Sequence, residues 1–499
     1  MKKTYISILT AVLCLTCLPA CHGDLDIVYD NALSASNMWK DPSDLEQSVP
    51  GIYQRVRSFF SSSEANVFYY GEVRLGDYMW GPSLKDKVQD NFKISCRHQT
   101  LTPSSTIGWT NAYKAIDQAN AVLAHSSTCN ATEAMVNWAN AQAYFARAFM
   151  YFYVVRLWGE VPLNLLPVEG TSQEETYPFQ AAPEAVYEQI GKDIAACEAC
   201  GDVLGSDKYF GTKDALNMLK AEYALWMYSV RNGGDSYLAL AETALSAIGI
   251  SDLKLLSDYS KIFDRNNREN AEVIFAMNNT STSTAGYQVF FCHTSNGIKS
   301  TYRQNPVPIS STQWWHYSKD FHDLLLASKA AGDKRVDTNL SVGNYGADGG
   351  EISWCNKLLG DMNGSTVVFD NDLLYSRYAL AVMMHAELKY YQGKYSEALR
   401  SLNLIAKRAY GKDNVYTSTS QADVLNAIVK EYFLEFPAEG VIWWALIRTG
   451  KIWGYVPNSE IPGETFGDLR ARNANILLWP IPQGSLNKNT NLHQIKGWE

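Results

Sequence analysis

Residues 146–163 read Ala146-Arg147-Ala148-Phe149-Met150-Tyr151-Phe152-Tyr153-Val154-Val155-Arg156-Leu157-Trp158-Gly159-Glu160-Val161-Pro162-Leu163, and the architecture of the chain can be built outward from them. With Ala143-Tyr144-Phe145 before it, the segment is apolar on most sides, so it predicts a helix packed between neighbours rather than one with a single buried stripe. The pattern starts near Ala134 behind the capping pair Asn130 and Glu133. It ends at Trp158, because Gly159 and Pro162 do not continue a helix.

Upstream, a second helical pattern covers Trp109 to Ala124. Before that, Asp41-Pro42-Ser43-Asp44 offers an N-cap, a proline at the first helical position and an acid in the first turn. That helix is expected to run to about Phe60, kinked by Pro50. Downstream, helical segments are predicted at Pro183 to Cys200, Asp214 to Val230, Tyr237 to Ile248, Asp372 to Tyr391, Tyr395 to Tyr410 and Gln421 to Phe436. Four of these make two hairpins, joined through Asn232-Gly233-Gly234 and Gln392-Gly393-Lys394. In the second, Ala386, Tyr390, Gly393, Tyr395 and Ala398 follow the small-large-Gly-aromatic-small spacing of tetratricopeptide helix pairs. One pair cannot bury its own faces, so several must stack. The fold class expected is therefore mostly α, a tetratricopeptide-like helical repeat scaffold.

Between residues 251 and 371 the character changes to polar, Gly-punctuated sequence, such as Asn278-Asn279-Thr280-Ser281-Thr282-Ser283-Thr284. This reads as a loop-rich insertion lobe. It divides the scaffold into an N-terminal part, 39–250, and a C-terminal part, 372–499. Long loops that carry aromatics on a helical frame are where binding usually resides.

The N-terminal residues combine Lys2 and Lys3 with an apolar run from Tyr5 to Leu18 and then Leu18-Pro19-Ala20-Cys21, the pattern of a secretory signal over 1–20. The run is shorter than the roughly 18 to 20 residues that cross a bilayer. A cysteine after the cleavage-type alanine is what bacterial lipoproteins acylate, so Cys21 is the expected lipidation site and 21–38 a tether. Several acyl chains, at about 0.8 kcal/mol per buried methylene, anchor a protein stably where one chain does not. Without Lys2 and Lys3 the chain has 41 basic and 52 acidic residues, a net charge of −11, which makes nucleic acid a poor partner. Cys197 and Cys200 form a C-x-x-C with no histidine or second C-x-x-C nearby, so helix packing is the better reading than a metal or redox site.

The chain contains no G-x-S-x-G, no H-E-x-x-H, no G-x-G and no G-K followed by Ser or Thr. That disfavours the commonest hydrolases, zinc proteases and nucleotide enzymes, and no cofactor or metal is expected. A glycosidase stays open, since its two carboxylates are placed in space and leave no fixed spacing. The positive signal is aromatic: 12% of the chain, with 14 Trp and 30 Tyr. Pyranose rings present an apolar C–H face and a rim of hydroxyls, which flat aromatics flanked by Asn, Asp or Arg can receive. Two places offer that mixture: Arg74, Asp77, Tyr78 and Trp80 after the first helix, and Trp314 with Trp315 in the insertion. Core packing is the competing reading for each aromatic.

These features together resemble the SusD-like (RagB/SusD) family of outer-membrane nutrient-binding lipoproteins, across essentially the whole chain after the signal. Ala146 to Leu163 looks like the family's signature helix and its Arg-Leu-aromatic-Gly-acid-Val-Pro turn. Arg377-Tyr378-Ala379 with Ala386-Glu387-Leu388 resembles its later tetratricopeptide helix. Glu435 to Gly440 with Arg448-Thr449-Gly450-Lys451 is similar to its C-terminal helix, and Pro480-Ile481-Pro482-Gln483 with Asn489-Thr490-Asn491-Leu492 to its closing segment. The sequence departs from the pattern at Ile442, usually Arg, at Ala445, usually Asp, and at Thr490, usually Pro. The resemblance implies a surface-exposed lipoprotein with no reaction of its own, acting as a lid on a SusC-like TonB-dependent transporter and binding oligosaccharide or polysaccharide. It also implies a ligand platform at Arg74, Asp77, Tyr78 and Trp80, joined by Tyr287, Trp314 and Trp315. Peptide or another nutrient as ligand is the main alternative, followed by a helical glycoside hydrolase or a pure scaffold.

Overall fold

The computed structural model describes residues 38–499 except 62–66, 77, 81–100, 105, 171, 173–175, 252, 281–314, 346–349, 359, 364–365 and 458–462. The signature segment lies in helix α3, defined below. From Phe145 to Trp158 every residue of that helix is buried, as its all-round apolarity requires. Thr132 caps it, accepting from Met135 N at 3.3 Å, so the cap falls two residues later than the Asn130 expected from sequence. Gly159 at φ +70° ends it.

The helices used below are, in chain order, α1 Pro42–Phe60, α2 Thr110–His125, α3 Glu133–Trp158, α4 Pro183–Ala199, α5 Lys213–Ser229, α6 Asp235–Ile248, α7 Lys319–Ala330, α8 Tyr378–Tyr391, α9 Tyr395–Tyr410, α10 Gln421–Glu435 and α11 Ile442–Arg448. Pro50 lies inside α1, which continues unbroken through it. Consecutive helices pack as neighbours: α1 on α2, α2 on α3, α3 on α4, α5 on α6, α8 on α9 and α9 on α10, with α6 against α8 to join the two hairpins. Such nearest-neighbour stacking is the mark of a repeat scaffold. Ala386 and Ala398 are fully buried where α8 and α9 meet, and Gly393, at φ +70°, makes the turn between them. Arg147 ties three helices at once, donating to Asp193 of α4 at 2.7 and 2.9 Å and to Asn120 of α2 at 2.9 Å.

The strands used below are β1 Tyr78–Trp80, β2 Val273–Met277, β3 Trp315–Tyr317, β4 Ser341–Tyr345, β5 Gly350–Trp354 and β6 Leu373–Arg377. Residues 372–377 were expected to open a helix; instead β6 pairs antiparallel with β2, and α8 begins at Tyr378. This pair brings together the two ends of the stretch between residues 277 and 373. Between them lie α7 and the β4–β5 hairpin.

Where the lobe meets the C-terminal helices, the core is ionic. Arg377 donates to Glu272 at 2.8 Å, Glu435 at 2.7 Å and Glu439 at 2.7 Å, while Arg408 reaches Glu272 at 2.8 Å. Arg335 reaches Glu431 at 2.7 Å and Glu435 at 2.8 Å. Burial alone would raise the Glu435 carboxyl, but Arg408, Arg377 and Arg335 outweigh it and hold it far below the usual carboxylate range. Removing one member strands the others, at about 3–5 kcal/mol. At 442 and 445 the chain uses packing instead of charge: Ile442 and Ala445 are both buried in α11, and the next turn's Arg448 pairs with Glu387 of α8 at 2.8 and 2.9 Å.

Candidate functional site

The two aromatic stretches picked out in the sequence, more than 230 residues apart, meet as a strand pair. β1 and β3 run antiparallel with Tyr78 opposite Tyr317, Met79 opposite His316 and Trp80 opposite Trp315. Directly opposed residues of such a pair share a face, and alternate residues along each strand do too. Positions 78, 80, 315 and 317 therefore make one row on one face of the pair, and positions 79 and 316 fall on the other face. Tyr317 is buried, its hydroxyl donates to Asn339 O at 2.7 Å, and its N–H donates to Ser353 Oγ of β5 at 3.0 Å. One end of the row is thus rooted in the core, backed by the β4–β5 hairpin.

Arg74 does not belong to this row. It is 1% exposed, and its guanidinium donates to Leu477 O at 2.8 Å and to Ile476 O, lying 4.9 Å from the Trp443 ring centroid and 5.1 Å from that of Trp479. Burial pulls its pKa down to about 9, so the cation persists at neutral pH. The expectation that Arg74 meets ligand is corrected: its donors face the closing segment. Its neighbour Glu72, also fully buried, accepts Ala438 N at 3.0 Å, Glu439 N at 2.9 Å and Gly440 N. Gly71 lies so close to this turn that a Cβ would stand 1.8 Å from Gly440 O. Glu72 and Arg74 clamp the segment leading into β1 onto two C-terminal segments.

Asp77, Tyr287 and Trp314 lie outside the described residues, as do Cys21, the signal and all of the tether but residue 38. Cys197 is buried, its thiol donating to Ala141 O at 3.2 Å; Cys200 turns to Ala196 O at 3.3 Å, so both pack helices. No group of metal-ligating side chains occurs among the described residues. A cleft of about 730 Å³ beside α2 is walled mainly by Leu163, Leu165, Leu166 and Val168, with His125 and Glu169 at its edge.

Stacked helix pairs define a mostly helical, tetratricopeptide-like repeat protein. The chain belongs to the SusD-like family. Residues 352–498 match the family described as SusD, and residues 66–215 the one described as starch-binding associating with outer membrane. A SusD-like protein of Formosa agariphila is 24% identical, with 96% of this chain and 95% of that protein covered. A SusD superfamily protein of Bacteroides fragilis superposes with a TM-score of 0.77 at 23% identity, covering 92% of this chain and all of that one. Surface glycan-binding protein A of Bacteroides thetaiotaomicron, solved with laminarihexaose, superposes at 0.70 and 19% identity, over 91% of this chain and 99% of that one.

Proposed function

We propose that this protein captures oligosaccharide or polysaccharide chains at the β1–β3 row and passes them to a SusC-like TonB-dependent transporter. In this reading it stays at the outer-membrane surface through acyl chains on Cys21. The observation that carries it is the register pair Trp80–Trp315, which unites the two aromatic stretches in one place. The family description of starch binding at the outer membrane and the laminarihexaose held by a protein of the same fold support the ligand class. No described helix is long and apolar enough to cross a membrane, so attachment in this reading rests on lipid.

Tyr78, Trp80 and Trp315, with Asp77, Tyr287 and Trp314, are the platform we assign; Arg74 and Glu72 position it. Stacking and a few hydrogen bonds in an open groove give affinities of about micromolar to millimolar. The protein binds and does not cleave.

The test is titration of the chain lacking residues 1–21 against plant, microbial and host glycans, beside peptide digests, with Trp80→Ala and Trp315→Ala variants. Glycan binding that these substitutions abolish in a folded protein supports the reading. Binding of peptides alone replaces it with peptide uptake, and release of shortened glycan replaces it with hydrolysis.

A further inference from the structure

A second concave site, sharing no residue with the β1–β3 row, lies between the middle of α1, the loop at 207–210 and the β2–β6 pair. Its volume is about 370 Å³, near the lower end of the roughly 300–1,000 Å³ typical of small-ligand sites. The walls are fixed before any ligand arrives. Tyr53 donates its hydroxyl to Gln142 and accepts Gly211 N at 2.7 Å. Tyr209 donates to Asp372 Oδ2 at 2.8 Å, and its loop is stitched to β2 by Ala276 N on Lys208 O at 2.9 Å. Phe210 stands edge-on to Tyr53 with centroids 4.9 Å apart, and the Tyr375 ring packs on Phe275 at 4.8 Å. Rings so held lose little entropy when a ligand stacks on them.

Among the polar groups of the lining, Arg57 is half-buried and donates to Asn279 Oδ1 at 2.9 Å, while others lie toward solvent. Gln54 and Asn278 are exposed, and neither side-chain amide makes a hydrogen bond among the described residues. Asp207 spends one carboxylate oxygen on Tyr209 N at 2.9 Å and keeps acceptor capacity for a ligand. Flat rings at the wall with two amides and a carboxylate at the mouth form the same chemical pairing that receives a pyranose, an apolar face flanked by hydroxyl partners.

We infer that this cavity is a second saccharide site, sized for one or two sugar units. It rests on the reading of the protein as a glycan binder only for the source of its ligand, since its geometry is independent of Trp80 and Trp315. With both sites filled, a chain or its branch is held at two points, which raises the apparent affinity when one molecule can span them.

The test separates the two sites by readout. Met277 lines the cavity, so its ε-methyl NMR signal, assigned through Met277→Leu, reports occupancy there. A panel of gluco-, manno- and galacto-configured mono- and disaccharides is titrated into the chain lacking residues 1–21 and carrying Trp80→Ala and Trp315→Ala. The expected result is a saturable shift of the Met277 methyl by at least one sugar, weakened about fivefold or more by Gln54→Ala with Asn278→Ala. In the otherwise unsubstituted protein, glycan binding at the tryptophans persists in that double variant. The inference is overturned if no sugar moves Met277 up to its solubility limit, if the shift ignores Gln54 and Asn278, or if only peptides produce it. Loss of the tryptophan site alone overturns the proposed platform and leaves this cavity standing.

Discussion

Replacing Arg74 with alanine separates a residue that positions the aromatic row from one that meets ligand. The guanidinium gives charge-assisted hydrogen bonds to Ile476 O and Leu477 O and lies against Trp443 and Trp479. Hydrogen bonds to a charged group contribute about 1.5–3 kcal/mol each, and a desolvated cation–π contact about 2 kcal/mol. The cost of burying the charge, visible in the depressed pKa, offsets part of this. A net loss of about 3–5 kcal/mol is expected, in the range for breaking a buried charged contact. At about 2.1 cal/mol/K per residue over the 499 residues of the chain, the unfolding entropy is near 1 kcal/mol/K, so Tm should fall by about 3–5 °C in a single transition. Calorimetry reads the shift, and glycan titration well below Tm should show affinity within about twofold of the parent. Trp80→Ala should do the reverse: Tm nearly unchanged, affinity down about tenfold for the loss of roughly 1.4 kcal/mol of stacking. An Arg74→Ala protein that keeps its Tm and loses its ligand would refute this account and return Arg74 to the platform.

Gly440→Ala should prevent stable folding, since the residue sits at φ +71° and a Cβ would lie 2.4 Å from Val67 O. Gly450→Ala, at φ +69° with nothing within 4 Å, should cost only about 1–2 kcal/mol; thermal denaturation compares the two. Glu435→Gln should destabilise the protein by about 3–5 kcal/mol at neutral pH. Because the folded carboxyl is held far below its unfolded value, its stabilisation is complete above about pH 4.3 and drains away as pH falls below that, so urea midpoints of the variant should depend less on pH there. His385, lowered to about 4 chiefly by burial and then by Lys389, accepts fewer protons folded than unfolded, so stability should fall as pH drops from about 6.5 toward 4. Its half-buried position limits the effect to about 1–2 kcal/mol, and His385→Gln should flatten the curve across that window.

Helices whose signals are local could be read from the chain alone. The aromatic run of α3 and the Tyr395–Tyr410 span of α9 have the ends that their glycines and periodicity imply. Leu373-Leu374-Tyr375-Ser376-Arg377 misleads because no breaker separates it from α8; it is extended only because β2, a hundred residues earlier, pairs with it. Arg74 misleads in the same way: nothing near it in sequence announces carbonyls some 400 residues downstream. Choosing Trp80 and Trp315 needed only composition and context, whereas their pairing is a long-range register that single-sequence reading does not reach. Charge replaced by packing at Ile442 and Ala445 could be read as a departure, and burial gives it its meaning.

The clamp formed by Glu72 and Arg74 also sets the order in which the molecule can become itself. Both residues lie in the first fifth of the chain, and their partners, at 438–440 and 476–478, are among the last to emerge from any channel that threads it N-terminus first. Helix pairs such as α5 with α6 can assemble early, because their contacts are local. The segment leading into β1 lacks both of these anchors until residues 438–478 have been made. A chain cut short before residue 438 would therefore be expected to keep much of its helix while leaving the segment around 67–76 unclamped, a state readily seen as largely helical far-ultraviolet dichroism with rapid proteolysis there.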